Sequence, residues 1–258
     1  MALPGRKQHL LVERLFGSPP TAEFEGVVLE HHRDLRGGGL RAAIFGMSDG
    51  LVSNISLVLG TAGAHPGAGV VRLAGLAGLL GGSFSMAAGE YVSMRGQQEA
   101  LQHELDLERH ELNLHPESER RELEQIYVRR GITREVAQRV AEELMVSPES
   151  SLIAHAREEL GIDPEALGSP IQASLASFFT FALGAFIPLA PFLSGSSGTT
   201  TLLVSIVLAG ISAILVGVGL THFTGRSRVH SALRSLAICA AAGGVTYLVG
   251  SLIGVATN

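Results

Sequence analysis

The sequence predicts an all-α membrane protein with five transmembrane helices and a cytoplasmic helical domain inserted between the second and third. Three observations predict it. Of 258 residues, 46% are apolar and only 17% charged, and mean hydropathy is +0.32. A soluble domain carries roughly 25% charged residues. The charges that exist are crowded together, and long stretches hold none. No stretch shows the alternating pattern of a strand.

The charge-free stretches fix the spans. Ala166–Gly225 and Ser235–Asn258 contain no Asp, Glu, Lys or Arg. Ala42–Val71 holds only Asp49, and Leu73–Gly89 holds none before Glu90. A spanning helix needs ~20 apolar residues, about 30 Å at 1.5 Å each. Five spans result: Arg41–Gly63, Val70–Arg95, Pro170–Leu193, Thr199–Phe223 and Ala232–Val255. Ala64-His65-Pro66-Gly67, Ser194–Gly198 and Gly225–Arg228 are the turns between neighbours. Pro188 and Pro191 predict a kink and freed carbonyls late in the third span.

Residues 1–40 read as a polar cytoplasmic segment without the apolar core of a signal peptide. Within it, Glu30-His31-His32-Arg33-Asp34 sets two His between two acids, a pattern open to a metal site, but it reads better as a solvated polar cluster. Arg33, Arg36 and Arg41 precede span one, and Arg226, Arg228 and Arg234 stand between spans four and five. This bias predicts a cytoplasmic N-terminus and an outer C-terminus in a bacterial inner membrane, with Arg72 the exception.

Gly96–Gly168 has a composition of its own. It carries 17 of the 24 acidic residues and 8 of the 19 basic ones, a net charge of −9 against +4 elsewhere. Such a module attracts cations, not nucleic acid. It reads as four helical pieces: Gln97–Leu114 continuing span two, Glu117–Arg130, Thr133–Met145 and a last helix from Ser147 to about Leu160. The expected domains are therefore 1–40, 41–95, 96–168 and 169–258.

Within the module, Glu104, Glu108 and Glu111 share a helix face at i, i+4, i+7. Glu119 and Glu122 stand at i, i+3, and His155, Glu158 and Glu159 at i, i+3, i+4. Like charges so spaced repel, and a divalent cation reverses the sign. Spacing alone fits equally a solvated acidic face neutralised by Arg109, Arg120, Arg121 and Arg157.

Inside the spans, Asp49 is a functional candidate, because an acid near a helix centre costs roughly 2.5–3.5 kcal/mol on insertion scales. A position at the interface, with the side chain snorkelling, is the alternative. Gly46 and Gly50 give a spacing that admits a close helix neighbour. Met86 and Glu90 stand at i, i+4 on span two. A thioether beside carboxylates suits a borderline metal such as Fe²⁺ and disfavours Mg²⁺.

No enzyme motif is convincing. There is no phosphate loop, and Lys7 is the only lysine. HExxH and CxxC are missing. Gly46-Met47-Ser48-Asp49-Gly50 matches GxSxG by chance, because that motif needs a strand-to-helix turn and this stretch lies in an apolar span.

The motifs Gly46-Met-Ser-Asp49-Gly-Leu-Val-Ser-Asn54 and Ser85-Met86-Ala-Ala-Gly-Glu90-Tyr-Val-Ser93 resemble those of the vacuolar iron transporter family, in a bacterial-type form. The resemblance runs from about Glu30 to the C-terminus. It implies a homodimer in membrane lipid that moves Fe²⁺, often Mn²⁺, out of the cytoplasm against protons, with no permanently bound cofactor. It also implies a transmembrane metal path through Asp49 and Met86. Metal-binding glutamates of the inserted domain would fall on Glu108, Glu111, Glu119, Glu122 and Glu159. Two positions depart from the family pattern. Gly78 stands where some members have a glutamate, so Glu90 is expected to supply that carboxylate. His155 and Ala156 stand where some have methionines, which hardens the site and brings Zn²⁺ into range alongside Mn²⁺. A metal sensor without transport and a passive channel remain the rival classes.

Overall fold

The computed structural model describes residues 38–161, 168–196 and 198–257. The cluster at Glu30–Asp34, with Arg33 and Arg36, lies outside them. The described chain is helical: α1 (Gly38–Gly63), α2 (Ala68–Leu114), α3 (Pro116–Arg129), α4 (Arg134–Leu144), α5 (Pro148–Glu158), α6 (Pro170–Leu189), α7 (Thr199–Thr224) and α8 (Arg228–Thr257). Five of these, α1, α2, α6, α7 and α8, are long and apolar enough to cross a membrane.

Their outward faces carry the same message. Leu203, Val207, Ile211 and Leu215 recur every fourth residue along α7, and all are exposed. In water such a stripe is an aggregation hazard; in lipid it is the natural surface.

The helix α1 is the most buried span and touches α2, α6, α7 and α8. Leu51, Ile55 and Leu59 pack with Ala209, Ala213 and Cys239. A second cluster joins Val58 and Val71 to Leu189 and Phe192. Two pairs of glycines let α1 sit this close to its neighbours. A Cβ on Gly50 would lie 2.1 Å from the Phe181 carbonyl oxygen of α6, and one on Gly46 would lie 2.2 Å from Thr180 Oγ1. Further along, Gly60 and Gly63 meet α8, where a Cβ on Gly250 would lie 1.8 Å from the Gly60 carbonyl oxygen. In lipid, where apolar contact gains little, such backbone proximity supplies the packing energy.

Prolines shape the end of α6. Pro188 lies within the helix, and the chain tightens into a 3₁₀ turn at Ala190–Ser194, closed by Gly195 at φ +88°. Pro191 has no N–H for the carbonyl three residues back, that of Pro188. Ser205 Oγ of α7 donates to that oxygen instead, at 2.7 Å.

Between α2 and α6 the chain forms the helical insert. The second span and the first insert helix are one 47-residue rod. Pro116 opens α3, and Gly131 at φ +93° ends the turn after it. Thr133 is the N-cap of α4 as expected, but its hydroxyl caps nothing. Ser147 caps α5 through a capping box with Ser150. This last helix stops at Glu158, two residues short of the expected end, and α8 starts at Arg228, four residues early. Arg228 and Arg234 therefore belong to α8 and not to the preceding loop. Leu123, Ala141 and Ala154 form the small core of the insert, flanked by Tyr127 and Leu144.

Candidate metal centre

The amphipathic helices α3 and α5 pack on the polar end of α2, and their packing brings together residues far apart in sequence. Glu108 of α2, Glu119 of α3, and His155 and Glu159 at the end of α5 offer ligand atoms that all lie within 4.8 Å of one another. His155 Nδ1 is 3.3 Å from Glu108 Oε1, 3.4 Å from Glu159 Oε2 and 3.9 Å from Glu119 Oε2. His155 is fully buried and Glu108 and Glu119 nearly so, while Glu159 stands at the open edge.

Burial beside like charges is unfavourable for these carboxylates. Desolvation, reinforced by Glu159, Glu119 and Glu122 and opposed by His155, pushes Glu108 up to about 6. Desolvation likewise raises Glu119, again opposed by His155, with Glu122, Glu159 and Glu111 adding to the rise. Arginines expected to neutralise the acidic face are engaged elsewhere: Arg109 pairs with Asp106 at 2.6 Å, and Arg120 with Glu117 and Glu124. Three carboxylates and one imidazole make an O₃N donor set that suits Mn²⁺, Fe²⁺ or Zn²⁺.

Four other expected residues sit differently. Glu111 and Glu122 flank the cluster and act on it electrostatically. Glu104, one turn before Glu108 on α2, is exposed and outside the cluster. Glu158 turns away from the cluster, where it accepts from Tyr127 Oη at 3.3 Å and pairs with Arg130. The Arg130 guanidinium also donates to the Glu158 carbonyl oxygen at 3.3 Å. These contacts tie the end of α5, and so His155 and Glu159, to α3. Tyr127 is half-buried beside Glu158, and desolvation together with that carboxylate pushes its phenol up to about 12. The 3.6-residue period carries adjacent Glu158 and Glu159 about 100° apart, but spacing alone does not say which one faces α2.

A second polar site lies in the membrane-spanning half. A cavity of about 300 Å³ is lined by Asp49, Ser53, Asn54 and Leu57 of α1, by Gly78, Gly82, Ser85 and Met86 of α2, and by Phe181 of α6. Asp49 is exposed at its mouth and accepts a hydrogen bond from Ser53 Oγ at 3.0 Å. Half-buried Glu90 stands one turn beyond Met86 on α2, outside the lining. The cavity exists because its α2 wall is small: Gly78, Gly82 and Ser85 recur at i, i+4, i+7, and the Phe181 ring abuts Gly82.

The VIT family profile matches residues 40–251. A vacuolar iron transporter 1 of Arabidopsis thaliana is 27% identical over 229 residues, 88% of this chain and 92% of its own. A vacuolar iron transporter of Acanthamoeba castellanii is 36% identical over 162 residues, 62% of this chain and 58% of its own. One from Toxoplasma gondii is 29% identical over 245 residues, covering 90% of this chain and 80% of its own. With the profile spanning the five apolar helices and the insert between them, this chain belongs to the VIT family.

Proposed function

We propose that this protein is a proton-coupled exporter of a divalent transition metal, Fe²⁺ or Mn²⁺, with Zn²⁺ a further candidate. The relatives named as iron transporters support metal transport, and the O₃N donor set supports this metal class. One observation carries the reading. The continuous helix α2 bears a metal-competent cluster at Glu108 and a polar membrane cavity at Met86, 22 residues apart, or roughly 33 Å along the axis.

In this reading the insert is a cytoplasmic domain, on the side marked by the Arg bias of the loops. Metal enters past Glu159, exchanges protons for its place among Glu108, Glu119 and His155, and passes to Asp49 and Met86. Protons from the far side compete for the Asp49 and Glu90 carboxylates and release it. The protein acts as a homodimer. Asp49 is exposed on a single chain, a position lipid penalises, and a second copy covers it.

Proteoliposomes with an internal pH dye test the proposal. Fe²⁺ and Mn²⁺ entry coupled to proton exit, and lost in Asp49→Asn, is the expected result. Metal entry without proton movement identifies a channel. Metal bound at the cluster without any entry identifies a sensor.

A further inference from the structure

Asn54 is the most buried residue lining the membrane cavity, and its amide is held in one orientation. Its Nδ2 donates to the Ala185 carbonyl oxygen of α6 at 2.6 Å. A carbonyl acceptor fixes which end of the amide faces α6, so Oδ1 points the other way. The residue is only 1% exposed, and Oδ1 has no hydrogen-bond partner among the described residues. That oxygen looks towards the bare backbone of Gly78: a Cβ there would lie 2.8 Å from it. A buried, unsatisfied oxygen is costly in any protein and more so among lipid-facing helices. Here it opens on a cavity that also holds a carboxylate and a thioether.

We infer that the Asn54 side-chain carbonyl is an oxygen ligand for the cation crossing this cavity, taken up directly or through one retained water. The inference rests on the transport reading above and adds a residue to its path. The chemistry is division of labour. Asp49 supplies charge at the exposed side, Met86 a soft sulfur, and Asn54 a neutral hard oxygen at the most buried position of the lining. A neutral donor binds the ion without a second buried charge, so it holds the ion weakly enough to release it. The hydrogen bond to Ala185 presents this oxygen without reorganisation, which is what a donor on a transport path requires.

Mn²⁺ and Cd²⁺ entry into proteoliposomes, titrated for wild type, Asn54→Leu and Asn54→Asp, tests this. Losing the oxygen in Asn54→Leu raises the half-saturating Mn²⁺ concentration about tenfold. Cd²⁺, which leans on the Met86 sulfur, moves less than about twofold. Asn54→Asp keeps an oxygen but adds a second buried charge, so its half-saturating Mn²⁺ concentration does not rise while its maximal Mn²⁺ entry falls by at least about threefold. Should Asn54→Leu not assemble, Asn54→Ser withdraws the oxygen and carries the same expectation. Equal shifts for both metals, or none, overturn the inference. Wild-type protein without flux overturns the transport reading beneath it. Flux that needs Asp49 but ignores Asn54 overturns this inference alone.

Discussion

The cavity at Met86 and the cluster at Glu108 share one helix, yet they are held in place by different forces. Around the cavity, backbones touch: Gly46, Gly50 and Gly184 bring α1 and α6 together, and small residues on α2 leave the space empty. Around the cluster, charged side chains converge on a thin core of Leu123, Ala141 and Ala154. In lipid a site is made by close packing, because hydrophobic contact distinguishes little between helices. In water a site is made by forcing like charges together on an amphipathic scaffold, at a cost that a cation repays. The first should be intolerant of added volume, the second of lost charge.

The largest effect should come from volume at the α1–α6 crossing. Gly50→Leu drives a side chain into the Phe181 backbone and should cost at least about 3 kcal/mol, abolishing a folded thermal transition in detergent. Gly89→Ala, with nothing within 4 Å, should leave that transition unchanged or raise it, since Ala outranks Gly by up to about 1 kcal/mol in a helix. A tolerant Gly50 would break the comparison.

Charge loss comes next. His155→Ala or Glu108→Gln should weaken Mn²⁺ binding to the purified full-length protein by about 100-fold, read by calorimetry, while Asp49→Asn leaves that binding alone. Because the folded cluster holds Glu108 near 6, protons compete with metal there. Apparent affinity should fall as pH drops from 7 through 6 and recover on return. An affinity flat across that window would argue that Glu108 is not a ligand.

A smaller effect separates ligand from support. Glu158→Ala should cost about tenfold in affinity with the metal stoichiometry unchanged, because Glu158 anchors α5 to Arg130 and Tyr127 and does not face the cluster. Exchanging the charges, Glu158→Arg with Arg130→Glu, should restore most of it; a true ligand is not replaced by arginine. The smallest effect belongs to Glu104→Gln, where exposure away from the cluster predicts affinity within about twofold of wild type.

Much of this architecture is legible in the amino-acid sequence itself. Charge-free runs determine the five spans, because a bilayer accepts helices of about 20 apolar residues and little else. The segment Gly96–Gly168 announces a separate helical insert by its charge, and Pro116, Gly131 and Ser147 mark its turns. Asp49 and Met86 stand out because polar and soft ligands are scarce in such spans.

Helical period groups residues on one face of one helix, but a site needs faces of several helices to meet. Only the tertiary structure separates Glu158 from Glu159, because which side of α5 turns inward depends on packing, and Glu104 from Glu108, which share a face of α2 but stand one turn apart along it, so that only Glu108 is level with Glu119 and His155. It also places Asn54 in the cavity lining with its amide fixed by Ala185, where the sequence shows only one more polar residue in the Gly46–Asn54 stretch of span one. The crossing glycines show the same division: Gly46 and Gly50 license a close neighbour, but that the neighbour is α6, and that Gly60 and Gly63 repeat the device against α8, is decided by backbone contact between segments more than a hundred residues apart.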